Sequence, residues 1–297
     1  MKSASQTKKY KLQESLMAYA FMSPALILIL LFIIGPILAS LSFSFTDYYL
    51  LKPKEISFSG LQNFKYIAED KLVLTSFINT FKFVIMVIPL QVGAALGLAL
   101  LVNRNNKLNT FFKVSFFSPV VMSLVVMSIL WMVILNPESG LLNAILQAMG
   151  LPKQPFLTSA KQAMPTIVFV SAWQGAGYQM MIFLAGLKNI SASLYEAADV
   201  DGANSWHKFR FITMPSLQGT TVFVLITTLI GAFKLIIQPM VMTSGGPKNS
   251  TLTIVYYIYQ TGVRYRNVGY ASAIGLVFTL IVTAIILIQR TAMKEEE

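Results

Sequence analysis

Apolar residues along the chain gather into six runs, at about 16–43, 77–102, 114–135, 165–187, 220–243 and 268–288, and no Asp or Glu falls inside any of them. Each run is near or above the ~20 residues a helix needs to cross the hydrocarbon core of a bilayer. The pattern predicts an all-α integral membrane protein with six transmembrane helices. The first run follows Lys8, Lys9 and Lys11 and contains Ala18-Tyr-Ala20, which mimics a signal-peptide cleavage site. That site precedes the apolar core, and the core is too long for a signal h-region, so the run is read as a retained span.

Shorter periodicities refine the picture. Within 140–150, Leu141, Leu142, Ile145, Leu146 and Met149 share one helical face of a segment too short to cross. It is expected at the membrane surface or against a partner. Pro24, Pro36, Pro89, Pro119 and Pro239 interrupt apolar runs. Each removes a backbone hydrogen bond and can kink a helix, which membrane helices tolerate where neighbours satisfy the exposed carbonyls. No internal repeat or low-complexity segment emerges, so 16–290 reads as one membrane domain between tails 1–15 and 291–297.

Composition agrees. Of 297 residues, 55% are apolar and 12% charged, and the mean hydropathy is positive. Water-soluble domains are nearer a quarter charged, so lipid is the expected solvent. The net charge of +11 would suggest nucleic acid in a soluble protein. Here the basic residues sit mainly at span ends, beside anionic headgroups, and nucleic-acid binding is set aside. The chain has no cysteine, which excludes disulfides and cysteine-ligated metal sites. Six spans put both termini on one side. The segments sharing the side of Lys2, Lys8, Lys9 and Lys11 also carry Arg104, Lys107, Lys113, Lys188, Lys208, Arg210, Arg290 and Lys294. This bias points to cytoplasmic termini and a cytoplasmic loop at 193–217.

That loop is a polar island between two apolar runs. Ser193 and Glu196 fit a capping box that starts a short helix, Ala197 and Ala198 favour its continuation, and Gly202 can supply the left-handed turn that stops it. Asn204 or Ser205 can cap a second short helix through about Arg210, limited by Pro215. The expected product is a helix-turn-helix knob offering Tyr195, Ala197, Ala198, Trp206 and Phe209 to a partner.

The spacing Glu196-Ala-Ala, three residues, Gly202, nine residues, Ile212, one residue, Met214-Pro215 resembles the EAA loop of binding-protein-dependent ABC importer permeases, with Met214 where Leu is usual. Gly60-Leu-Gln-Asn-Phe64, Asn79-Thr80, Gly140-Leu-Leu-Asn143, Trp173, the Thr243-Ser-Gly-Gly-Pro247 turn and Gly269-Tyr-Ala-Ser272 look like features of the carbohydrate-importer permeases. The chain is similar to the larger maltose-transporter permease without its extra amino-terminal spans. The resemblance covers most of the chain, about 16–290.

It implies the type I ABC importer permease fold with cytoplasmic EAA coupling helices, in a bacterial plasma membrane. Glu196, Ala197, Ala198, Gly202 and Pro215 become the ATPase-coupling positions. The implied partners are a second homologous permease, as a heterodimer, two ATP-binding cassette subunits that bind ATP and Mg, an extracytoplasmic solute-binding protein and an oligosaccharide. No cofactor is expected in this chain, which has no Gly-x4-Gly-Lys-Ser/Thr phosphate loop. Neither metal-ligand clusters nor paired carboxylates are apparent, and His207, the sole histidine, is read as a solvated loop residue.

By the same resemblance, faces of the fourth and fifth spans line a sugar cavity. Gln174 and Tyr178 stand at i and i+4 beside Gly175, while Lys234 and Gln238, also at i and i+4, stand near Gly231. Tyr178 can stack on a pyranose ring, and the two glutamines can bond hydroxyls. Lys234 is read in two ways: pairing with the carboxylate of an acidic, uronate-containing sugar, or bonding a carboxylate or carbonyls of the partner permease. Lys82 is expected to snorkel to the outer headgroups without a functional role. The alternatives carried forward are an ABC permease for glycerol phosphate, phosphate or polyamine, an ion-driven secondary transporter, which the acid-free spans disfavour, and a non-transporting membrane scaffold or sensor.

Overall fold

The computed structural model describes residues 2–104 and 106–294, so Met1 and the last three residues of the tail 291–297 lie outside it. Helices follow one another as α1 Lys2–Ile29, α2 Gly35–Phe43, α3 Gln62–Glu69, α4 Lys71–Leu101, α5 Lys107–Val121, α6 Leu124–Ile134 and α7 Leu141–Ala148. They continue as α8 Ala163–Lys188, α9 Ala192–Val200, α10 Ser205–Lys208, α11 Met214–Ser216, α12 Gln218–Phe233, α13 Ile254–Tyr259 and α14 Val268–Lys294. Among the described residues the only strand pairing is two isolated bridges, Thr46 to Phe58 and Tyr49 to Asn267.

Four segments are long and apolar enough to span a membrane as single helices: Met17–Phe43, Lys71–Leu101, Ala163–Lys188 and Val268–Ile288. The two remaining runs, each expected as one span and each carrying a proline, are broken. Run 114–135 is split into α5 and α6, bent by 103°. Just past Pro119, whose ring withholds a backbone donor, Met122 turns extended at ψ 143°. Run 220–243 is likewise not one helix. Its helical part begins in the preceding loop, bends by 65° at Leu217 and ends at Phe233. The chain then turns at Lys234 and coils again over Pro239–Thr243.

Prolines are accommodated in a repeated way. Leu30–Ile34 and Phe209–Thr213 are π-turns, each followed two residues later by a proline, Pro36 and Pro215. The residue before each proline donates its N–H five residues back, Gly35 to Leu30 O and Met214 to Phe209 O. A widened turn relieves the clash between the ring and the carbonyl four residues back. Pro24 and Pro89 stay inside continuous α-helix.

The chain divides into two compact units, residues 1–69 with 261–277, and 70–260 with 278–297. In the first, Asn63 is buried and donates to the carbonyls of Ser44 (3.0 Å) and Thr46 (2.8 Å). Gly269 donates its N–H to Tyr48 O at 3.0 Å, and a Cβ there would strike Thr46 O. Two of the motifs singled out in the sequence thus close the same loop around 44–48. Ser57 donates its backbone N–H and its hydroxyl to Asp47, both at 2.7 Å, holding that carboxyl below its ordinary value.

The second unit holds the core. One cluster gathers Phe83, Val87, Met127, Ile167, Val170 and Phe233; another gathers Ala95, Ala99, Met180, Phe183, Leu217 and Val224. Both run along α8, the most buried of the four long spans. Asp70 caps α4 by accepting from Leu72 N–H at 2.8 Å and also accepts from Tyr257 OH at 2.6 Å.

Asn79 and Thr80 hold the Ser-Gly-Gly-Pro turn. Asn79 Nδ2 donates to the carbonyls of Asn249 (2.7 Å) and Leu252 (3.1 Å), and Thr80 Oγ1 accepts from Ile254 N–H at 2.9 Å. Asn79→Ala would leave both carbonyls without that donor, so a loss of about 1–3 kcal/mol is expected. Thermal unfolding of the purified protein in detergent measures it, and an unchanged midpoint would remove Asn79 from this role.

Candidate functional site

A cavity of about 350 Å³ opens in the second unit, within the range of small-molecule sites. Its walls are Phe83, Val87 and Gln91 of α4, Val120 and Leu124 at the α5–α6 bend, one face of α8, and α12 with the turn that follows it. All six residues expected to meet substrate line it: Gln174, Gly175, Tyr178, Gly231, Lys234 and Gln238. One part of that expectation is corrected. Lys234 and Gln238 do not sit at i and i+4 of one helix, because α12 ends at Phe233 and Lys234 occupies its C-cap. Both line the cavity across a break at Lys234, just beyond which Thr253 Oγ1 donates to Leu235 O at 2.7 Å.

The lining is polar in a particular way. It contains five glutamine or lysine side chains, Gln174 and Gln179 on α8 and Gln91, Lys234 and Gln238 beyond it, and no Asp or Glu. Lys234 is exposed and has no ion-pair or side-chain hydrogen-bond partner among the described residues. Gly175 lacks the Cβ that would strike Gln91, so the absent side chain is what lets Gln91 reach across from α4. At Gly231 nothing lies within 4 Å of an added Cβ, and the wall is open there. Two lining oxygens, Ser171 Oγ and Gln179 Oε1, are buried without a hydrogen-bond partner.

The second candidate region is the loop 192–216. α9 begins at Ala192, so the Ser193–Glu196 capping box does not form. Ser191 holds the cap position without a bond from its side chain to the backbone, and its hydroxyl lies 2.8 Å from that of Ser193. The stop is as expected. Gly202 adopts φ +75°, its N–H reaches Asp199 O (3.1 Å), and Ala203 N–H reaches Ala198 O (2.9 Å), which is a Schellman closure. Asn204 Oδ1 then caps α10 by accepting from His207 N–H at 2.9 Å.

Pro215 does not limit the second helix near Arg210. The π-turn Phe209–Thr213 carries it on to Ser216. Lys208 pairs with Asp199 at 2.5 Å, and Tyr195 OH lies 2.9 Å from Thr213 Oγ1, so the two arms are tied. Tyr195 is therefore turned inward and half-buried, as are Ala198 and Phe209. The apolar surface consists instead of Leu194, Val200 (89% exposed), Trp206 (64%) and Phe211 (68%). Glu196, Ala197, Gly202 and Pro215 are exposed, and so is His207.

Residues 73–292 match the family described as the binding-protein-dependent transport system inner membrane component. The chain belongs to this family. Among its relatives, the lactose transport system permease protein LacF of Rhizobium radiobacter is 35% identical over 286 residues, 94% of each chain. The arabinooligosaccharides transport system permease protein AraP of Bacillus subtilis (strain 168) is 33% identical over 273 residues, 91% of this chain and 86% of that one. A solved chain of a bacterial ABC transporter involved in the import of the acidic polysaccharide alginate superposes with a TM-score of 0.84. It is 22% identical and covers 96% of this chain and 98% of that one, which establishes the fold.

The protein is thus a multi-pass inner-membrane permease of the carbohydrate ABC importers, with the type I importer fold. In the permease, Ser171, Gln91, Gln179, Thr227 and Thr228 join the cavity although the sequence reading passed over them. Polar side chains inside apolar runs were the available signal, since such residues face protein or water rather than lipid.

Proposed function

We propose that the permease passes an acidic oligosaccharide through the cavity between α4, α8 and α12, with Lys234 pairing the sugar carboxylate. The observation that carries this is a lysine without an ion-pair partner among the described residues, in a cavity whose lining has no carboxylate. An ammonium in such a place favours an anionic ligand. Tyr178 offers a ring for stacking, and Gln174 and Gln238 offer hydrogen bonds. Relatives named for arabinooligosaccharides and lactose support a sugar, and the alginate importer with the same fold supports an acidic one.

Energy enters through the loop 192–216. This knob seats on a separate ATPase subunit that binds ATP and Mg, and Glu196, Ala197, Ala198, Gly202 and Pro215 shape it. Two such ATPases, a second homologous permease in a heterodimer and an extracytoplasmic binding protein complete the importer. The bias of basic residues supports cytoplasmic termini. ATP binding closes the ATPases, moves both knobs and turns the cavity outward to receive sugar.

The test is transport by the complex reconstituted with its binding protein, using trisaccharides of mannuronate, galacturonate, arabinose and glucose. Lys234→Gln is expected to raise the KM for the uronates about tenfold or more, as loss of a charge-assisted bond does, and to leave neutral sugars unaffected. Equal loss for both kinds of sugar, with poor assembly, would instead make Lys234 a partner-permease contact. Transport of neutral sugars alone by the unmodified permease would leave the path intact and remove the acidic substrate.

A further inference from the structure

Gln179 lies on the cavity wall at 3% exposure, and Thr228 faces it from α12 at 5%. Thr228 Oγ1 donates to Val224 O at 2.6 Å, which commits its only proton. What the hydroxyl can still offer Gln179 is a lone pair. The amide of Gln179 must therefore turn its Nε2 toward Thr228, and that is the bond present. The opposite orientation would set two acceptors against each other. Gln179 Oε1 is left buried without a hydrogen-bond partner, on a residue that lines the cavity.

A buried acceptor without a donor is uncommon in a folded protein and calls for an occupant. Sugars are dense in hydroxyl donors. We propose that Gln179 Oε1, which has almost no accessible surface in this structure, accepts a hydroxyl of the translocated sugar as the cavity opens during transport, and that Thr228 is the positioning residue that keeps the amide turned for it. The Val224, Thr228 and Gln179 relay fixes the polarity of this subsite, which takes a donor and rejects an ether or carbonyl oxygen at the same place. The assignment rests on the cavity being the sugar path. It adds to the Lys234 pairing a neutral-hydroxyl contact on the facing helix.

Two substitutions separate contact from positioning. Gln179→Met keeps length and removes the acceptor; Thr228→Val keeps shape and removes the lone pair that orients the amide. Both are made in the complete complex with its binding protein in liposomes, with the four trisaccharides named above as probes. The readouts are binding-protein-stimulated ATP hydrolysis and sugar carried per ATP. A sugar not captured in the cavity stays outside while the ATP cycle completes. Gln179→Met is therefore expected to lower sugar per ATP about three- to tenfold, the worth of one hydrogen bond, with ATP hydrolysis within about twofold of the parent. Thr228→Val should shift it in the same direction by less.

If both variants carry as much sugar per ATP as the parent, the Gln179 assignment is overturned while the sugar path stands. A loss of hydrolysis and transport together, with poor assembly, makes the pair a structural tie between α8 and α12 and also overturns it. Failure of the parent complex to carry any of the four sugars removes the sugar path, and this subsite with it.

Discussion

Gly177→Ala is expected to cost the permease about 3 kcal/mol, at the upper end of the usual range for overpacking, and most of its folded yield. α8 crosses α5 so closely at this point that an added Cβ would strike the carbonyl oxygen of Phe116, with Phe116 C at 3.0 Å and Phe117 Cα at 3.2 Å. These are backbone atoms, so no rotamer change relieves the contact. One helix must move, and α8 carries both core clusters and a cavity wall. Small residues let membrane helices approach in this way. Gly231→Ala is the matched control. Nothing lies within 4 Å of its new Cβ, and alanine favours helix over glycine by up to about 1 kcal/mol. Unfolding of the purified permease by heat or denaturing detergent should separate the two variants. Equal stability would mean that the α5–α8 crossing yields more readily than its backbone contact implies.

Combined Trp206→Glu and Phe211→Glu substitutions are expected to release the ATPase proposed above from the permease, weakening association at least about 100-fold. Two exposed aromatic anchors at about 2 kcal/mol each carry that much. The substitutions leave the devices that fold the knob in place: the Gly202 turn, the Asn204 cap, the Lys208–Asp199 pair and the Tyr195–Thr213 contact. Trp206 packs on Phe209 with ring centroids 5.6 Å apart, and Phe211 stacks on His207 at 6.0 Å. The rings are held before any partner arrives, so little ordering entropy is spent on binding. Co-purification with the ATPase, followed by titration, reads the effect. Phe58→Glu serves as control, since Phe58 is 80% exposed in the other unit. Retention of the ATPase at parental affinity would place the docking surface elsewhere.

Several features were legible in the residues because their physics is local. The length of an apolar run needed to cross lipid is set by the solvent, and the four long spans lie where those runs are. Gly202 takes the left-handed turn because an L side chain resists it. Asn204 caps α10 because its oxygen reaches the amide three residues on. Gln174, Gly175 and Tyr178 share a face by helical periodicity alone. The family resemblance was equally visible, carried by short motifs whose spacing survives in one chain.

What depended on distant neighbours was decided only by the tertiary structure. A broken helix and a straight one have the same apolar composition, and the break at Lys234 persists because a partner elsewhere satisfies the exposed backbone. Leu235 O finds Thr253 eighteen residues on. Lys234 and Gln238 share a cavity across a helix break, not by the register of one helix. Ser193 lost its capping role because the helix began at Ala192, one residue before it. Gln179 reads in sequence like any polar residue in a span. Only the packing of α8 against α12 shows that Thr228 claims its amide N–H and leaves its oxygen buried without a partner, since hydrogen-bond polarity belongs to the pair.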